Sequence, residues 1–375
     1  MDRVRQRIPP TPRPTIAPPR LTRRAAFGVA LAAVVPALAG CTVPFTSMGR
    51  GVFVVGSDGQ DLRRVADGSP WLAWSPDSQT LGLRYPDGAI MVASANGDGT
   101  RAYAGEPFSG PGWSPDGTRI AVVDPGQDVI RVEAADGAFI SQAPLRETRP
   151  PLWMVATVAD NIPVWSPTGD RIAFLAWDGN GDALYTITPD GTDRRKRSLV
   201  SLSRNRADRY LWLDQRVAAG DVGNPAWSPD GQFLSYAVFP EVRGATGGIY
   251  VVPASGGDRT EVTGRPPVSG PAWSPTSQEI AYTARQDTSI SLFVASADGL
   301  RQRTLTGLLG VNARYPAWSP DGLQIAFAGG RDLFVTDTGG NSRQLASTGL
   351  VTFDPMWSPD GTKIAFLGVP PQPGR

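Results

Sequence analysis

Pro316-Ala317-Trp318-Ser319-Pro320-Asp321-Gly322-Leu323-Gln324-Ile325-Ala326-Phe327 decides the fold. Its centre is a tight turn. Pro at the second turn position presets φ, Ser or Asp can bond the turn backbone, and Gly accepts the left-handed conformation that closes a hairpin. The Ile-Ala-Phe run that follows opens a short strand. Trp-Ser-Pro followed by a turn pair occurs seven times, at Trp74, Trp113, Trp165, Trp227, Trp273, Trp318 and Trp357. Four copies read W-S-P-D-G; Trp74 opens W-S-P-D-S, Trp165 W-S-P-T-G and Trp273 W-S-P-T-S. Ser78 and Ser277 replace the closing Gly, so those two turns are expected to be strained or differently shaped. Seven residues after each tryptophan stands an aliphatic residue: Leu81, Ile120, Ile172, Leu234, Ile280, Ile325 and Ile364.

A second series of turns alternates with the first, at Asp58, Asp98, Asp136, Asp190, Gly256, Asp298 and Gly339. Strand-like runs such as Ile249-Tyr250-Val251-Val252 lead into them. The first of these outer turns precedes the first Trp-Ser-Pro, and none follows the last. The chain therefore begins with half a unit and ends with the complementary half. Units of four short antiparallel strands bury both faces only when stacked radially in a closed ring. Residues 51–369 give about 46 residues per unit for seven units, within the usual range for such repeats. The expected fold is all-β: a seven-bladed β-propeller closed by pairing of N- and C-terminal strands, residues 51–68 joining 355–368.

The pattern P-x-W-S-P-D-G-x-x-I-A-F, followed by I-Y-V-x-x-x-D-G, resembles the repeat of TolB-type β-propellers and of the propellers that precede prolyl-oligopeptidase-like hydrolase domains. The resemblance covers residues 51–369 and implies the fold. It leaves function open, because propellers host many jobs. TolB carries an α/β domain before its propeller, whereas only a short tether precedes the first strand here, so the Tol-system role and partners are not carried over. The peptidase relatives need a hydrolase domain with a G-x-S-x-G elbow and a histidine, and the sequence has neither.

Composition narrows the chemistry further. The chain has no histidine, which removes Ser-His-Asp and Cys-His nucleophile systems and His-ligated zinc. Its one cysteine, Cys41, allows no intrachain disulfide or cysteine cluster. Seven of the arginines lie in residues 1–40 (Arg3, Arg5, Arg7, Arg13, Arg20, Arg23, Arg24) against Asp2 alone. Without that segment the formal charge of +1 becomes about −5, the wrong sign for a nucleic-acid partner.

Residues 1–40 have the order of a secretory signal: a basic stretch, the apolar run 25–38 and then small residues. The apolar run is shorter than the roughly 20 residues of a membrane-spanning helix. Leu38-Ala39-Gly40-Cys41 resembles the bacterial lipobox, which implies a lipid on Cys41, and Thr22-Arg23-Arg24-Ala25-Ala26-Phe27 resembles a twin-arginine export signal. The expected organisation is signal peptide 1–40, lipidated tether 41–50, propeller 51–369 and tail 370–375.

Three positions before each motif tryptophan, the inner strands should enter near the mouth of the central channel. Trp71, Asn224, Tyr315 and Asp354 stand there, with Arg314 and Phe353 adjacent, and in six copies a proline follows. This is a mixed aromatic and polar surface suited to a peptide or sugar. Asp178, Asn180 and Asp182 have oxygens at alternate positions, as a calcium loop does. Ala183 replaces the required Gly and Pro189 the closing Glu, so a plain hairpin turn is expected and no metal. The spacing between Trp165 and Trp227 is the longest and holds Arg194, Arg195, Lys196, Arg197, Arg204, Arg206, Arg209 and Arg216, read as a solvated insertion or a contact for acidic headgroups. The motif tryptophans themselves read as inter-blade core.

The sequence thus points to a non-enzymatic, monomeric, cofactor-free binding or scaffold module. It would be held outside the cytoplasmic membrane through Cys41, with an envelope protein, peptide or glycan as partner. The alternatives are a glycosidase- or lyase-type propeller enzyme using carboxylates and arginines, and a regulatory propeller working with a separate hydrolase.

Overall fold

The computed structural model describes residues 50–67, 71–84, 90–102, 112–124, 129–144, 163–177, 182–201, 225–238, 247–305 and 311–370. These contain 28 strands, β1–β28 in chain order, and no helix. The strands form seven four-stranded antiparallel sheets, the blades of a propeller. Blades one to six are sequential, spanning 71–102, 112–144, 164–201, 226–261, 267–304 and 313–347. Blade seven is composite. Its order is β2 (Arg63–Asp67), β1 (Gly51–Gly56), β28 (Lys363–Val369), β27 (Val351–Trp357). The closing register runs from Gly51↔Gly368 to Gly56↔Lys363 without interruption.

The seven-residue spacing becomes a cross-strand pair in every blade: Trp74↔Leu81, Trp113↔Ile120, Trp165↔Ile172, Trp227↔Leu234, Trp273↔Ile280, Trp318↔Ile325 and Trp357↔Ile364. All seven aliphatic partners are at most 1% exposed. Apolar clusters are shared between neighbouring blades, as where Val123 and Val132 of blade two meet Trp165 and Ile172 of blade three. A single blade would leave these faces wet, so each sheet is stable only beside its neighbours.

Five blades add an aromatic pair in direct register, with ring centroids 5.4 to 5.7 Å apart: Phe53–Phe366, Phe174–Tyr185, Tyr236–Tyr250, Tyr282–Phe293 and Phe327–Phe334. Such cross-strand pairs fix register as well as burying area.

The inner turns explain the rest of the motif. In the copy at Trp113, the Gly117 N–H donates to Ser114 O and closes a turn with Pro115 second. The buried Ser114 hydroxyl donates to Asp116 Oδ1 at 2.5 Å and accepts from the Arg119 N–H at 2.9 Å. Ser75, Ser228, Ser319 and Ser358 repeat this arrangement. In blade three, where Thr168 takes the Asp place, Ser166 reaches Asp170 at 2.7 Å instead. Ser78 and Ser277 both have φ of 61°, close to the 69–73° of the five glycines they parallel. The two turns thus keep the common shape and carry the strain of a left-handed non-glycine residue.

The inner strands β3 (Trp71–Trp74), β7 (Gly112–Trp113), β11 (Val164–Trp165), β15 (Ala226–Trp227), β19 (Pro267–Trp273), β23 (Ala313–Trp318) and β27 touch one another in succession. Five of the seven indole N–H groups donate to the carbonyl preceding the previous blade's tryptophan. Trp165 donates to Gly112 O, Trp227 to Val164 O, Trp273 to Ala226 O and Trp357 to Ala317 O. Trp74 donates to Met356 O at 3.0 Å, which joins the first blade to the last.

Candidate functional site

Inner strands β19, β23 and β27 are longer than those of blades one to four, and each breaks register at the same place. The ladder skips Gly270-Pro271, Tyr315-Pro316 and Asp354-Pro355. The proline has no N–H to give, so the paired strand cannot continue through it. The residue before it bulges outward, a device that re-aims a side chain. Tyr315 has φ of 55° and Asp354 of 44°, both left-handed. For residues with a Cβ this costs about 1 kcal/mol or more each.

Specific contacts hold the strained backbone. The Tyr315 N–H donates to Ser269 Oγ at 3.1 Å, and Ser269 Oγ lies 2.5 Å from Thr283 Oγ1 in a hydroxyl pair buried in blade five. The Tyr315 ring meets the Phe353 ring of the next blade at 5.9 Å between centroids, tilted by 51°. Arg314, Tyr315, Phe353 and Asp354 are all half-buried. Blades six and seven thus present two aromatic rings, a guanidinium and a carboxylate on adjacent inner strands.

Of the residues expected at the channel mouth, Arg314, Tyr315 and Asp354 fall on the adjacent inner strands β23 and β27, where Tyr315 meets Phe353. Trp71 opens β3, opposite Arg84 in blade one, and Asn224 lies outside the described residues. Cys41, Asp178 and Asn180 also lie outside them, while Asp182 opens strand Asp182–Ile187 opposite Trp177. Among the described residues no three His, Cys, Asp or Glu side chains group as a metal site would need. Ser269 and Thr283 escape sequence reading because they come from two strands and neither belongs to the repeat motif.

The basic segment corrects the reading of a single solvated insertion. Arg195–Ser201 is the fourth strand of blade three, β14, and Arg194 stacks over the Tyr185 ring at 4.1 Å. Arg204, Arg206, Arg209 and Arg216 lie outside the described residues. The hydrogen bonds of Arg195 and Arg171 hold the Asp193 carboxyl down to about 2. A separate cleft of about 420 Å³ between blades four and five is lined by Phe233, Val251, Asp258, Gln278 and Arg301, away from the bulged strands.

The PD40 family, TolB beta propeller domain, matches residues 262–369, the stretch that holds the three bulged strands. The protein is a seven-bladed β-propeller, and over that stretch it is similar to the TolB propeller domain. Solved structures share the fold at low identity. A TolB-type protein of Agrobacterium tumefaciens is 18% identical, with a TM-score of 0.50 over 87% of this chain and 100% of that one. An oligogalacturonate lyase of Vibrio parahaemolyticus is 10% identical, with a TM-score of 0.57 over 86% and 98% of the two chains. The hydrazine synthase of Kuenenia stuttgartiensis is 16% identical, with a TM-score of 0.56 over 77% and 89%. Identity this low speaks to fold and not to activity. No curated protein matches the chain.

Proposed function

We propose that this TolB-like propeller is a non-enzymatic binding module, exported and anchored through a lipid on Cys41, that takes an envelope protein, peptide or glycan at the bulged inner strands of blades six and seven. The observation that carries the reading is the pair of left-handed bulges at Tyr315 and Asp354. Strain of this kind persists where a side chain must be presented, and here it accompanies a half-exposed group of two aromatics, an arginine and a carboxylate. An extended peptide or a sugar ring would stack on Tyr315 and Phe353 and engage Arg314 and Asp354 at its polar groups.

The test is a photo-crosslinking phenylalanine analogue in place of Tyr315, irradiated in cells. A discrete adduct that disappears when Asp354→Asn is added supports the reading; no adduct, together with silence on peptide and glycan arrays, rejects it. The enzymatic alternative draws its support from the fold shared with an oligogalacturonate lyase. Depolymerisation of an acidic glycan that Asp354→Asn abolishes would replace binding by catalysis.

A further inference from the structure

We propose that the boundary between blades three and four holds a second site, centred on Arg197, that binds a phosphate group. In six blades the same place on the fourth strand, where the neighbouring blade's outer turn closes over it, is described. Five of the occupants are apolar: Val65, Ala143, Val262, Leu305 and Leu345. The sixth is Arg197, bulged out of register with Tyr185 and only 7% exposed. Its Nε donates to the buried Thr186 Oγ1 at 2.8 Å, its one hydrogen bond among the described residues. Its remaining donors have no protein partner among those residues, and in a site this little exposed they hold an anion more strongly than they would in open water.

The surroundings favour such an anion. Burial first, and then the charges of Arg171 and Arg195, disfavour the charge on Arg197, and both of those arginines are bound to the single carboxylate of Asp193. Three positive charges against one negative leave an excess matched by a phosphate dianion. The turn that covers Arg197 also differs from its counterparts. Ser255 stands where Asp58, Asp136, Asp190 and Asp298 stand in four other blades, so no turn carboxylate is supplied there. Next to it Gly256, with φ of 94°, turns bare backbone toward the site: a β-carbon on it would lie 3.6 Å from Arg197 Nη1. Arginine forks bind phosphate through paired charge-assisted hydrogen bonds, which fits this geometry.

The experiment measures the thermal midpoint of the full-length chain against inorganic phosphate at constant ionic strength, with chloride and acetate as controls. The expected result is a saturable rise with phosphate, an affinity at least about tenfold weaker in Arg197→Leu, and a smaller loss in the exposed Arg195→Gln. Leucine is the residue other blades carry at this place, so Arg197→Leu should fold and melt no lower than the wild type without phosphate. No rise beyond chloride, or the same rise in Arg197→Leu, overturns the proposal. A marked fall in the phosphate-free midpoint of Arg197→Leu also overturns it, because the arginine would then be a structural pillar already neutralised by the chain. Phenyl phosphate separates the sources: tighter binding than inorganic phosphate identifies a phosphate ester as the ligand, and weaker binding the free ion.

Discussion

Ser78 Oγ accepts a hydrogen bond at 3.1 Å from the Asp360 N–H, across 282 positions of sequence, and so ties the first inner turn to the last. Ser277 Oγ does the same to the Asp230 N–H at 3.0 Å. In the other five copies the turn glycine lies over the proline of the preceding blade's turn, where a β-carbon would meet Pro76, Pro115, Pro167, Pro275 or Pro320 at 3.5–3.8 Å. The seven turns therefore form a ring of van der Waals contacts in which serine converts two into hydrogen bonds. The strain at Ser78 and the bond it makes are of similar size, each about 1 kcal/mol. Ser78→Gly should accordingly change the unfolding free energy by less than about 0.5 kcal/mol, whereas Ser78→Ala keeps the strain, loses the bond and should cost about 1 kcal/mol. Calorimetry on the two variants decides the matter, and equal stabilities would refute the account.

The indole series gives an internal control. Trp357 Nε1 donates to Ala317 O at 3.1 Å, whereas the buried Nε1 of Trp318 has no partner. Phenylalanine removes similar area from both sites but breaks a hydrogen bond at only one. Trp357→Phe should be the more destabilising by about 1 kcal/mol, measured by denaturant unfolding.

Acid should weaken the ring through its turns. The Ser114 hydroxyl, then the N–H and hydroxyl of Thr118, hold the Asp116 carboxyl down to about 2. Hydroxyl bonds from Ser75, Thr168 and Ser319 lower Asp77, Asp170 and Asp321 in the same way. At Asp230 and Asp360 burial pushes upward, but the serine and backbone bonds outweigh it and the net direction is down. A carboxyl lowered in the folded state stabilises fully above its ordinary value, near 3.9, and loses that contribution as pH falls toward about 2. The thermal midpoint should thus be level from about pH 5.5 to 7, since no histidine titrates there, and drop steeply between about pH 4 and 2. Asp116→Asn should lower the plateau and make the drop shallower.

The repeat was legible because a fixed spacing places one side chain per blade at one address. Trp and the aliphatic residue seven later are local enough to pair without knowledge of the ring. Closure was legible too, since unmatched halves at either end have only each other to join. What escaped reading depends on register between distant strands. Pro316 and Pro355 mark where the inner strands break, but Tyr315 gives no sign of a left-handed backbone and Asp354, of a type only enriched there, gives a weak one. Arg197 reads as one base in a run of four, and only its place in the bulge between Lys196 and Ser198, where other blades carry Val, Ala or Leu, sets it apart.

Cys41 decides whether the propeller works at a membrane. Lipidation should give a mature chain that starts at Cys41, carries an added diacyl mass and sediments with membranes. Cys41→Ser should move it to the soluble fraction. If mass spectrometry finds residues 1–24 retained and Cys41 unmodified, the anchored reading is lost and residues 25–38 need another role.

Asp354 tests whether strain and binding share a residue. Alanine and glycine there remove the same carboxylate, so any side-chain contact is lost equally in both. They differ in the cost of φ at 44°, which glycine tolerates and alanine does not. Asp354→Gly should therefore be more stable than Asp354→Ala by about 1 kcal/mol, while both lose affinity for the channel-mouth ligand to the same degree. Asp354→Asn keeps the shape and the bulge energetics, because Asn tolerates the left-handed region at least as well as Asp. If its affinity falls as far as that of the other two, the carboxylate charge is what the ligand reads. If Asn binds like the wild type while Ala and Gly do not, the ligand reads hydrogen-bond geometry, and a glycan hydroxyl fits the site better than a basic peptide.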